Sequence, residues 1–193
     1  ADTMRLYEMF IGDFEKAAPW STSSIRGCKR FLDRIWALQD NLIDGDTYRE
    51  SLVRKMHQTI QKVSNDIETL KFNTAIAAMM ELLNEITATG SINKAEFRTL
   101  LILLNPFAPH ITEELYETYC GGILHEQSWP TYDEALCKED TIEIVVQING
   151  KVRCKMNIAV GAEKDAVLEQ ALAEPKIAEA VAGKQLGKQI YVP

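Results

Sequence analysis

The chain has 193 residues, of which 21 are lysine or arginine and 28 are aspartate or glutamate, so its formal net charge is −7. An apolar share of 46% is enough to build a buried core and excludes an intrinsically disordered chain. The sequence contains no apolar run near the roughly 20 residues that span a bilayer, no secretory signal pattern, and four cysteines without CxxC spacing. We therefore expect a cytoplasmic protein with reduced thiols, no metal site and no membrane contact. The acidic charge argues against a general nucleic-acid-binding protein.

The charge is distributed unevenly along the chain. Residues 138–193 contain eight basic and eight acidic side chains, whereas the first 137 residues contain 13 basic and 20 acidic ones. Near the same point the apolar residues change from helical spacing to strict alternation. This predicts a mainly α chain in which a helical bundle is followed by a small α+β domain. The expected division is a helix and connection over 1–22, a helical domain over 23–128, a linker over 129–140 and the small domain over 141–193.

The first predicted element is a helix over 2–11. The connection that follows contains Phe14 and Trp20, which we expect to anchor it to the core. Ser23 or Ser24 is expected to cap the second helix, because a serine oxygen accepts hydrogen bonds from the free N–H groups of the first turn. That helix is predicted to extend to about residue 43.

The second helix carries the densest basic surface of this acidic chain. Arg26, Arg30 and Arg34 lie four residues apart and therefore on one helix face, with Lys29 alongside. A solvated helix face is one interpretation of this pattern. The other is a phosphate-binding face, because the arginine guanidinium matches phosphate oxygens bidentately.

Three further helices follow in the first part of the sequence. Apolar residues at helical spacing predict a long helix from Asp46 or Thr47 to about Leu70, and then a helix that Asn73 caps. Asn93 and Glu96 resemble a capping box at the start of the third. The methionines in these helices are expected to fill the core rather than to bind a metal.

The most specific local string is NPFAPHITEEL, over residues 105–115. Pro106 lacks the N–H that a helix interior requires and disfavours the helical conformation at Asn105, so the helix must break or kink there. Pro109 suits the first turn of a new helix. His110 precedes two glutamates, which could indicate a metal or acid–base site, but no second ligand lies at suitable spacing. We interpret it as a structural histidine.

Residues 142–158 have the period-two alternation of two strands joined at Asn149 and Gly150. A two-residue loop would pair Val146 with Arg153 and place apolar and charged residues on one face. A three-residue loop over 148–150 avoids this conflict and pairs Val146 with Val152. We therefore predict the three-residue loop, with Gly150 in the left-handed conformation.

In this register the opposite face of the hairpin carries Lys151, Arg153 and Lys155, with Glu143 opposite Lys155. This is a second candidate phosphate-binding surface, and an ordinary charged cover on a half-buried sheet is the alternative. Two helices, over 163–173 and from Pro175 to Gly183, and a third strand over 188–192 complete a predicted ββααβ order.

Several strings in this chain resemble one family of enzymes. Residues 1–7 are similar to the stretch that follows the KMSKS loop of class I aminoacyl-tRNA synthetases, and Phe31–Trp36 to the entry of their helical anticodon-binding domain. Residues 105–115 resemble a string shared by the leucyl, isoleucyl and valyl enzymes. The string VQINGKVR over 146–153, together with the end of the chain over 190–193, is similar to the leucyl enzymes. The chain therefore resembles the C-terminal portion of a bacterial-type leucyl-tRNA synthetase.

Two departures accompany this resemblance. Cys154 occupies a position where glycine is expected, and the HIGH and KMSKS catalytic signatures are absent. The resemblance therefore implies a piece truncated at both ends, with no catalytic site, cofactor or metal of its own. It implies that the parent enzyme uses ATP and Mg²⁺ to attach leucine to leucine tRNA.

The resemblance also implies what this part of the parent enzyme does. The helical domain would support the tRNA body, the C-terminal domain would contact the tRNA elbow and long variable arm, and the rest of the synthetase chain would be the other partner of a monomeric protein. The candidate tRNA-binding residues are Arg26, Lys29, Arg30, Arg34, Lys151, Arg153 and Lys155. The alternatives are the equivalent tail of a valyl, isoleucyl or methionyl enzyme, and a helical protein-interaction module that binds no nucleic acid.

Overall fold

A computed structural model describes residues 1–13, 16–138, 141–183, 187 and 189–191. The chain divides into two compact units, Ala1–Cys137 and Lys138–Pro193. The first unit is helical and the second begins with two strands, so the predicted mainly α class with a small α+β part is confirmed. Phe14, an expected anchor, lies outside the described residues. Within the described part of the chain, no helix combines the length and apolar character needed to cross a membrane.

The first unit contains seven α-helices in its described residues, two 3₁₀ turns and a pair of very short strands. The helices are α1 (Asp2–Phe10), α2 (Thr22–Ala37), α3 (Glu50–Glu68), α4 (Phe72–Thr89), α5 (Lys94–Leu104), α6 (Pro109–Tyr119) and α7 (Glu134–Cys137). The 3₁₀ turns are Leu38–Asn41 and Leu124–Glu126. The strands β1 (Leu42–Ile43) and β2 (Ile92–Asn93) pair in parallel, with Leu42 opposite Ile92.

One apolar core joins the helices of the first unit, and α3 and α4 pack side by side along it. The helical spacing of their apolar residues produces the buried stripe that each helix needs. The fully buried residues of these two helices are Leu52, Met56, Ile60, Val63, Ala75, Ile76, Met79, Leu82, Leu83 and Ile86. Met56 and Met79 are buried core residues, and Met80 is partly buried against the same core, as predicted.

The boundaries of three helices differ from the sequence predictions. α3 begins at Glu50 and not at Asp46 or Thr47. α2 is capped by Ser21, whose Oγ accepts the N–H of Ser24 at 3.3 Å, and not by Ser23 or Ser24. It ends at Ala37 instead of near residue 43, because Leu42 pairs with β2 in an extended conformation. α4 begins at Phe72 without a side-chain cap, so the expected role of Asn73 as its cap is wrong.

The predicted capping box and proline break are confirmed. Asn93 Oδ1 accepts the N–H of Glu96 at 2.9 Å, and Glu96 Oε2 accepts the N–H of Asn93 at 3.1 Å. α5 ends at Leu104, and α6 begins with Pro109 in its first turn. The expected exclusion of Asn105 from the helical conformation is wrong, because Asn105 has φ −53° and ψ −42°. Both features depend on short-range chemistry, which explains why the sequence was sufficient to predict them.

Residues 129–137, which fall in the predicted linker, pack along α3 as part of the first unit. Trp129 Nε1 donates to Ser64 Oγ at 2.8 Å, and the N–H of Asp133 donates to His57 Nδ1 at 3.0 Å. Gln58 Nε2 donates to the carbonyl of Cys137 at 2.9 Å. These bonds fix the segment to one helix, so the connection to the second unit begins only after Cys137.

One buried polar group of α3 lacks a hydrogen bond. Thr59 is 1% exposed, and its Oγ1 has no partner among the described residues. An unpaired buried hydroxyl destabilises a fold, and an isosteric apolar group removes that cost. We expect Thr59→Val to raise the free energy of unfolding of the first unit by about 1 kcal/mol. Urea unfolding followed by tryptophan fluorescence measures this change, and a lower midpoint would contradict the expectation.

The second unit is built on an antiparallel hairpin of β3 (Thr141–Ile148) and β4 (Lys151–Ala159). Asn149 and Gly150 have φ angles of 51° and 75°, as in a two-residue turn with both central residues left-handed. Ile148 pairs with Lys151. The predicted three-residue loop is therefore wrong.

A bulge in β4 resolves the conflict that favoured the longer loop. Gln147 pairs with Val152 and Val146 with Cys154, so Arg153 is the extra residue in β4. Beyond the bulge the apolar residues of both strands share one face, as predicted. Val152 does not join that face and is 60% exposed.

Two helices complete the described part of the second unit, α8 (Lys164–Ala173) and α9 (Pro175–Val181). Their order and the proline at the start of α9 agree with the sequence predictions. Met156 and Ile158 of β4 pack with Val167 and Ala171 of α8 in a small core. Of the predicted third strand over 188–192, residues 188 and 192 lie outside the described residues, and 189–191 are not in a strand.

Candidate nucleic-acid interface

The first candidate surface, here called the α2 face, consists of Arg26, Lys29, Arg30 and Arg34. It is held in place by the opposite side of α2, where Cys28, Phe31, Leu32 and Ile35 are buried. The start of α2 is tied to α1, because the Tyr7 hydroxyl accepts the N–H of Ser21 at 2.8 Å. Trp20 is 64% exposed, yet its ring lies edge-on to Tyr7 with centroids 5.2 Å apart. The α2 face therefore sits on a rigid support.

The four basic residues of the α2 face are all exposed but differ in their partners. Arg26 and Arg30 have no hydrogen-bond or ion-pair partner in the described part of the chain. Arg34 Nη2 donates to Thr87 Oγ1 of α4 at 3.1 Å. Lys29 Nζ contacts both carboxylate oxygens of Asp33 at 2.7 Å. Two guanidinium groups are thus fully available to an anion.

Asp33 is the residue that the sequence interpretation of this surface missed. It lies four residues after Lys29 and three after Arg30, so it occupies the same helix face. The spacing of Lys29 and Asp33 is the i, i+4 signal for such a pair and could have identified it. The pairing of Arg34 with Thr87 has no sequence signal, because the two residues lie 53 positions apart.

The second candidate surface, here called the hairpin face, consists of Lys151, Arg153 and Lys155, all of which are exposed. The prediction that all three lie on one side of the hairpin is wrong, because the bulge at Arg153 changes the register. Lys151 pairs with Ile148 on the side of the apolar residues, and Lys155 pairs with Val145 on the other side. Lys155 Nζ contacts Glu143 Oε1 at 2.7 Å. The two residues were expected to lie directly opposite one another, but Glu143 pairs with Asn157 and Lys155 with Val145, so the ion pair is diagonal. Lys151 and Arg153 have no ion-pair partner in the described part of the chain.

His110 belongs to a structural contact between α1 and α6. Its Nδ1 lies 2.6 Å from Asp2 Oδ1, and Asp2 Oδ2 accepts the N–H of Ile111 at 2.7 Å. Burial alone raises the pKa of Asp2, but the hydrogen bonds from His110 and Ile111 outweigh burial and lower it. A cavity of about 400 Å³ lies beside this contact and is also lined by Lys29 and Asp33.

His125 also makes a structural contact. His125 Nδ1 lies 2.7 Å from Glu113 Oε1, and Glu113 Oε2 accepts the N–H of Leu124 at 2.9 Å. Burial raises the pKa of Glu113, and the hydrogen bonds from His125 and Leu124 lower it further than burial raises it. No three His, Cys, Asp or Glu side chains come together as metal ligands in the ranges that the structure describes.

The chemistry available at both surfaces is the binding of anions. Exposed guanidinium and ammonium groups on a rigid helix face or hairpin contact phosphates without distinguishing bases. Neither surface brings a nucleophile and a base together among its named residues, so the arrangement suits docking.

Comparison with protein families gives a match to the anticodon-binding domain of tRNA ligase over residues 50–168. The matched stretch begins at α3 and ends within α8, so it includes the hairpin face. The α2 face precedes the matched stretch.

Relatives match the chain over its whole length. Leucine–tRNA ligase of Alkaliphilus oremlandii is 50% identical over 194 residues, which cover 100% of this chain and 24% of the relative. The leucine–tRNA ligases of Herpetosiphon aurantiacus and Chlorobaculum parvum are 45% and 42% identical, each over 100% of this chain and 25% of the relative. The chain thus spans about a quarter of the length of these relatives.

A solved structure is similar along the whole chain. It is the crystal structure of a ternary complex of Agrobacterium radiobacter K84 agnB2 LeuRS with tRNA and LeuAMS. The TM-score is 0.75 at 29% identity, and the match covers 100% of this chain and 28% of that one.

Proposed function

The chain belongs to the anticodon-binding domain family of tRNA ligases and corresponds to that region of the leucine–tRNA ligases, and from this premise we propose that it docks leucine tRNA through its phosphate backbone. The α2 face would contact the body of the tRNA. The hairpin face would contact the elbow and the long variable arm. The role is one of positioning, with the chemistry performed elsewhere in the whole ligase.

The observation that best supports this proposal is the pair of unpartnered arginines on a rigid helix in an acidic chain. Arg26 and Arg30 are exposed, one helical turn apart and without an acidic partner among the residues that the structure describes. The side chains that α2 buries hold this helix in place, so both guanidinium groups project from a fixed base. Two guanidinium groups at this spacing suit neighbouring backbone phosphates.

The whole ligase is proposed to activate leucine with ATP and Mg²⁺ and to transfer it to leucine tRNA in the cytoplasm, as a monomer. The parts that bind ATP and Mg²⁺ would lie outside this chain. The contribution of this chain would be to hold the tRNA so that its 3′ end reaches that site, since docking the remote body of a substrate orients its reacting end.

Binding of labelled leucine tRNA, measured by fluorescence anisotropy over a salt series, tests the proposal. We expect the double variant Arg26→Glu and Arg30→Glu to bind at least about tenfold more weakly at low salt. The slope of log affinity against log salt should fall by about 1.5, as expected for two lost phosphate contacts. The variant Arg153→Glu with Lys155→Glu tests the hairpin face in the same way.

A matched control separates local contacts from total charge. Lys71 and Lys176 are exposed residues outside both surfaces, so Lys71→Glu with Lys176→Glu changes the net charge equally. If this control weakens binding as much as the double arginine variant, the α2 face is not the docking surface. A tRNA without its variable arm tests the leucine-specific part, because equal affinity for both tRNAs would exclude an arm contact.

A further inference from the structure

Each candidate surface contains one lysine that is held by an acid of the same surface. Lys29 Nζ lies 2.7 Å from both carboxylate oxygens of Asp33, and Lys155 Nζ lies 2.7 Å from Glu143 Oε1. The arginines that are free of partners, Arg26, Arg30 and Arg153, have no such acid in the described ranges. The same arrangement therefore occurs in both units, once on a helix and once on a hairpin.

Both acids lie where they affect a bound phosphate. Asp33 follows Arg30 by three residues on the same helix face, so a phosphate on Arg30 would lie within one helical turn of a carboxylate. Glu143 and Val145 are two residues apart and therefore lie on the same face of β3. Lys155 pairs with Val145, so Glu143 lies beside it on that face. Each carboxylate pairs with a lysine and would repel a polyanion that approaches this surface.

Neither ion pair is a structural one. The side chains of Lys29 and Asp33 are 64% and 59% exposed, and those of Lys155 and Glu143 are 62% and 54% exposed. Exposed pairs of this kind contribute little to stability. By contrast, the side chain of Glu96, which is paired with Arg49, is fully buried. The exposed acids can therefore compete with phosphate for their lysines.

We propose that Asp33 and Glu143 are affinity-limiting residues, which hold Lys29 and Lys155 in competition with the RNA backbone and thereby keep the docking of tRNA weak enough to reverse. This inference rests on the proposed docking function. On each surface the arginines would bind phosphate, and the acid would reduce the contribution of the lysine to tRNA affinity.

Isosteric neutralisation of each acid tests the inference. In anisotropy titrations of the 193-residue chain with labelled leucine tRNA, Asp33→Asn and Glu143→Gln should each tighten binding by about three- to tenfold at low salt. The salt slope should become steeper by about 0.7 to 0.9 for each lysine released. The combined variant should show both gains together if the two surfaces act independently.

Asp44→Asn is the matched control. Asp44 also pairs with a lysine, since its Oδ1 lies 2.8 Å from Lys94 Nζ, but neither residue belongs to a candidate surface. The control makes the same change in net charge. If Asp33→Asn and Glu143→Gln tighten binding no more than Asp44→Asn does, the inference is wrong and total charge explains any gain.

A second comparison tests whether the lysine is the mediator. In a Lys29→Gln background, Asp33→Asn should give less than half of its gain in log affinity. An undiminished gain would overturn the proposed competition for Lys29. Failure of the docking function has a separate signature: the unmodified chain would show no salt-dependent binding, and the double arginine variant would change nothing.

Discussion

Arg49→Met is expected to lower the free energy of unfolding of the first unit by about 3 kcal/mol at pH 7, because it leaves a buried carboxylate without its charged partner. Arg49 Nη2 and Nε both donate to Glu96, at 2.7 and 2.9 Å, and the Glu96 side chain is fully buried. Arg49 also donates to Ser91 Oγ and to the Ser91 carbonyl, both at 2.9 Å. One guanidinium thus joins the starts of α3 and α5 to the chain between α4 and β2.

The free energy of unfolding of Arg49→Met should change with pH in the opposite direction from that of the unmodified chain. Burial raises the pKa of Glu96, but the hydrogen bonds from Arg49 and Asn93 lower it below its ordinary value. In the unmodified chain this group therefore stabilises the fold above about pH 4.5, and the stabilisation is lost as pH falls further. Without the guanidinium of Arg49, we expect burial to outweigh the backbone hydrogen bonds from residue 49 and Asn93 and to raise the pKa of Glu96, so Arg49→Met should regain stability on acidification.

Urea unfolding followed by tryptophan fluorescence measures this effect in the first unit alone. All three tryptophans of the sequence, Trp20, Trp36 and Trp129, lie in that unit. Lys55→Met is the control, because Lys55 pairs with the exposed carboxylates of Glu81 and Glu85. A loss equal to that of the control, or a variant that weakens further on acidification, would show that the Glu96 pair is not what stabilises this junction.

Gly45→Ala is expected to lower the free energy of unfolding by about 2 to 3 kcal/mol, through a clash with the cap of α5. A Cβ on Gly45 would lie 2.9 Å from Asn93 Nδ2 and 3.1 Å from Asn93 Cβ, and the φ angle of Gly45 is 155°. Asn93 is 3% exposed and cannot move away freely. Its side chain also donates to the Thr47 carbonyl at 2.8 Å, so a shift would break two contacts of the cap.

Gly27→Ala provides the comparison for this substitution. Gly27 lies inside α2, and a Cβ built there meets no heavy atom within 4 Å. Alanine is the better helix residue, so this variant should gain about 0.5 to 1 kcal/mol in the same unfolding experiment. If Gly45→Ala were as stable as the unmodified chain, the packing of Asn93 against Gly45 would not be a constraint on the fold.

The sequence predicted those features that depend on residues close together along the chain. The break between α5 and α6, the Asn93–Glu96 capping box and the arginine spacing of the α2 face all lie within 11 residues or fewer of sequence. Steric exclusion by proline and the 3.6-residue period of the helix act over such distances. The strings at 105–115 and 146–153 likewise indicated the family, which the full-length relatives then supported.

The two largest failures arose where a remote segment or an irregularity in strand pairing decided the backbone conformation. Leu42 was assigned to α2 by its spacing, but pairing with Ile92 removes it from the helix. The length of the hairpin loop was chosen so that the apolar residues of both strands share one face. The bulge at Arg153 achieves the same result while keeping the two-residue turn that Asn149 and Gly150 favour. A bulge has no side-chain signature, so alternation alone could not locate it.

By itself the sequence determined the helical class, the change in character near residue 138 and the basic spacing along α2, because periodicity and charge are local properties. Only the tertiary structure decided which basic residues are free and which are engaged. Arg34 contacts Thr87 and His110 contacts Asp2 across 53 and 108 positions. Such contacts are set by the packing of whole helices, which brings together side chains that no spacing rule connects.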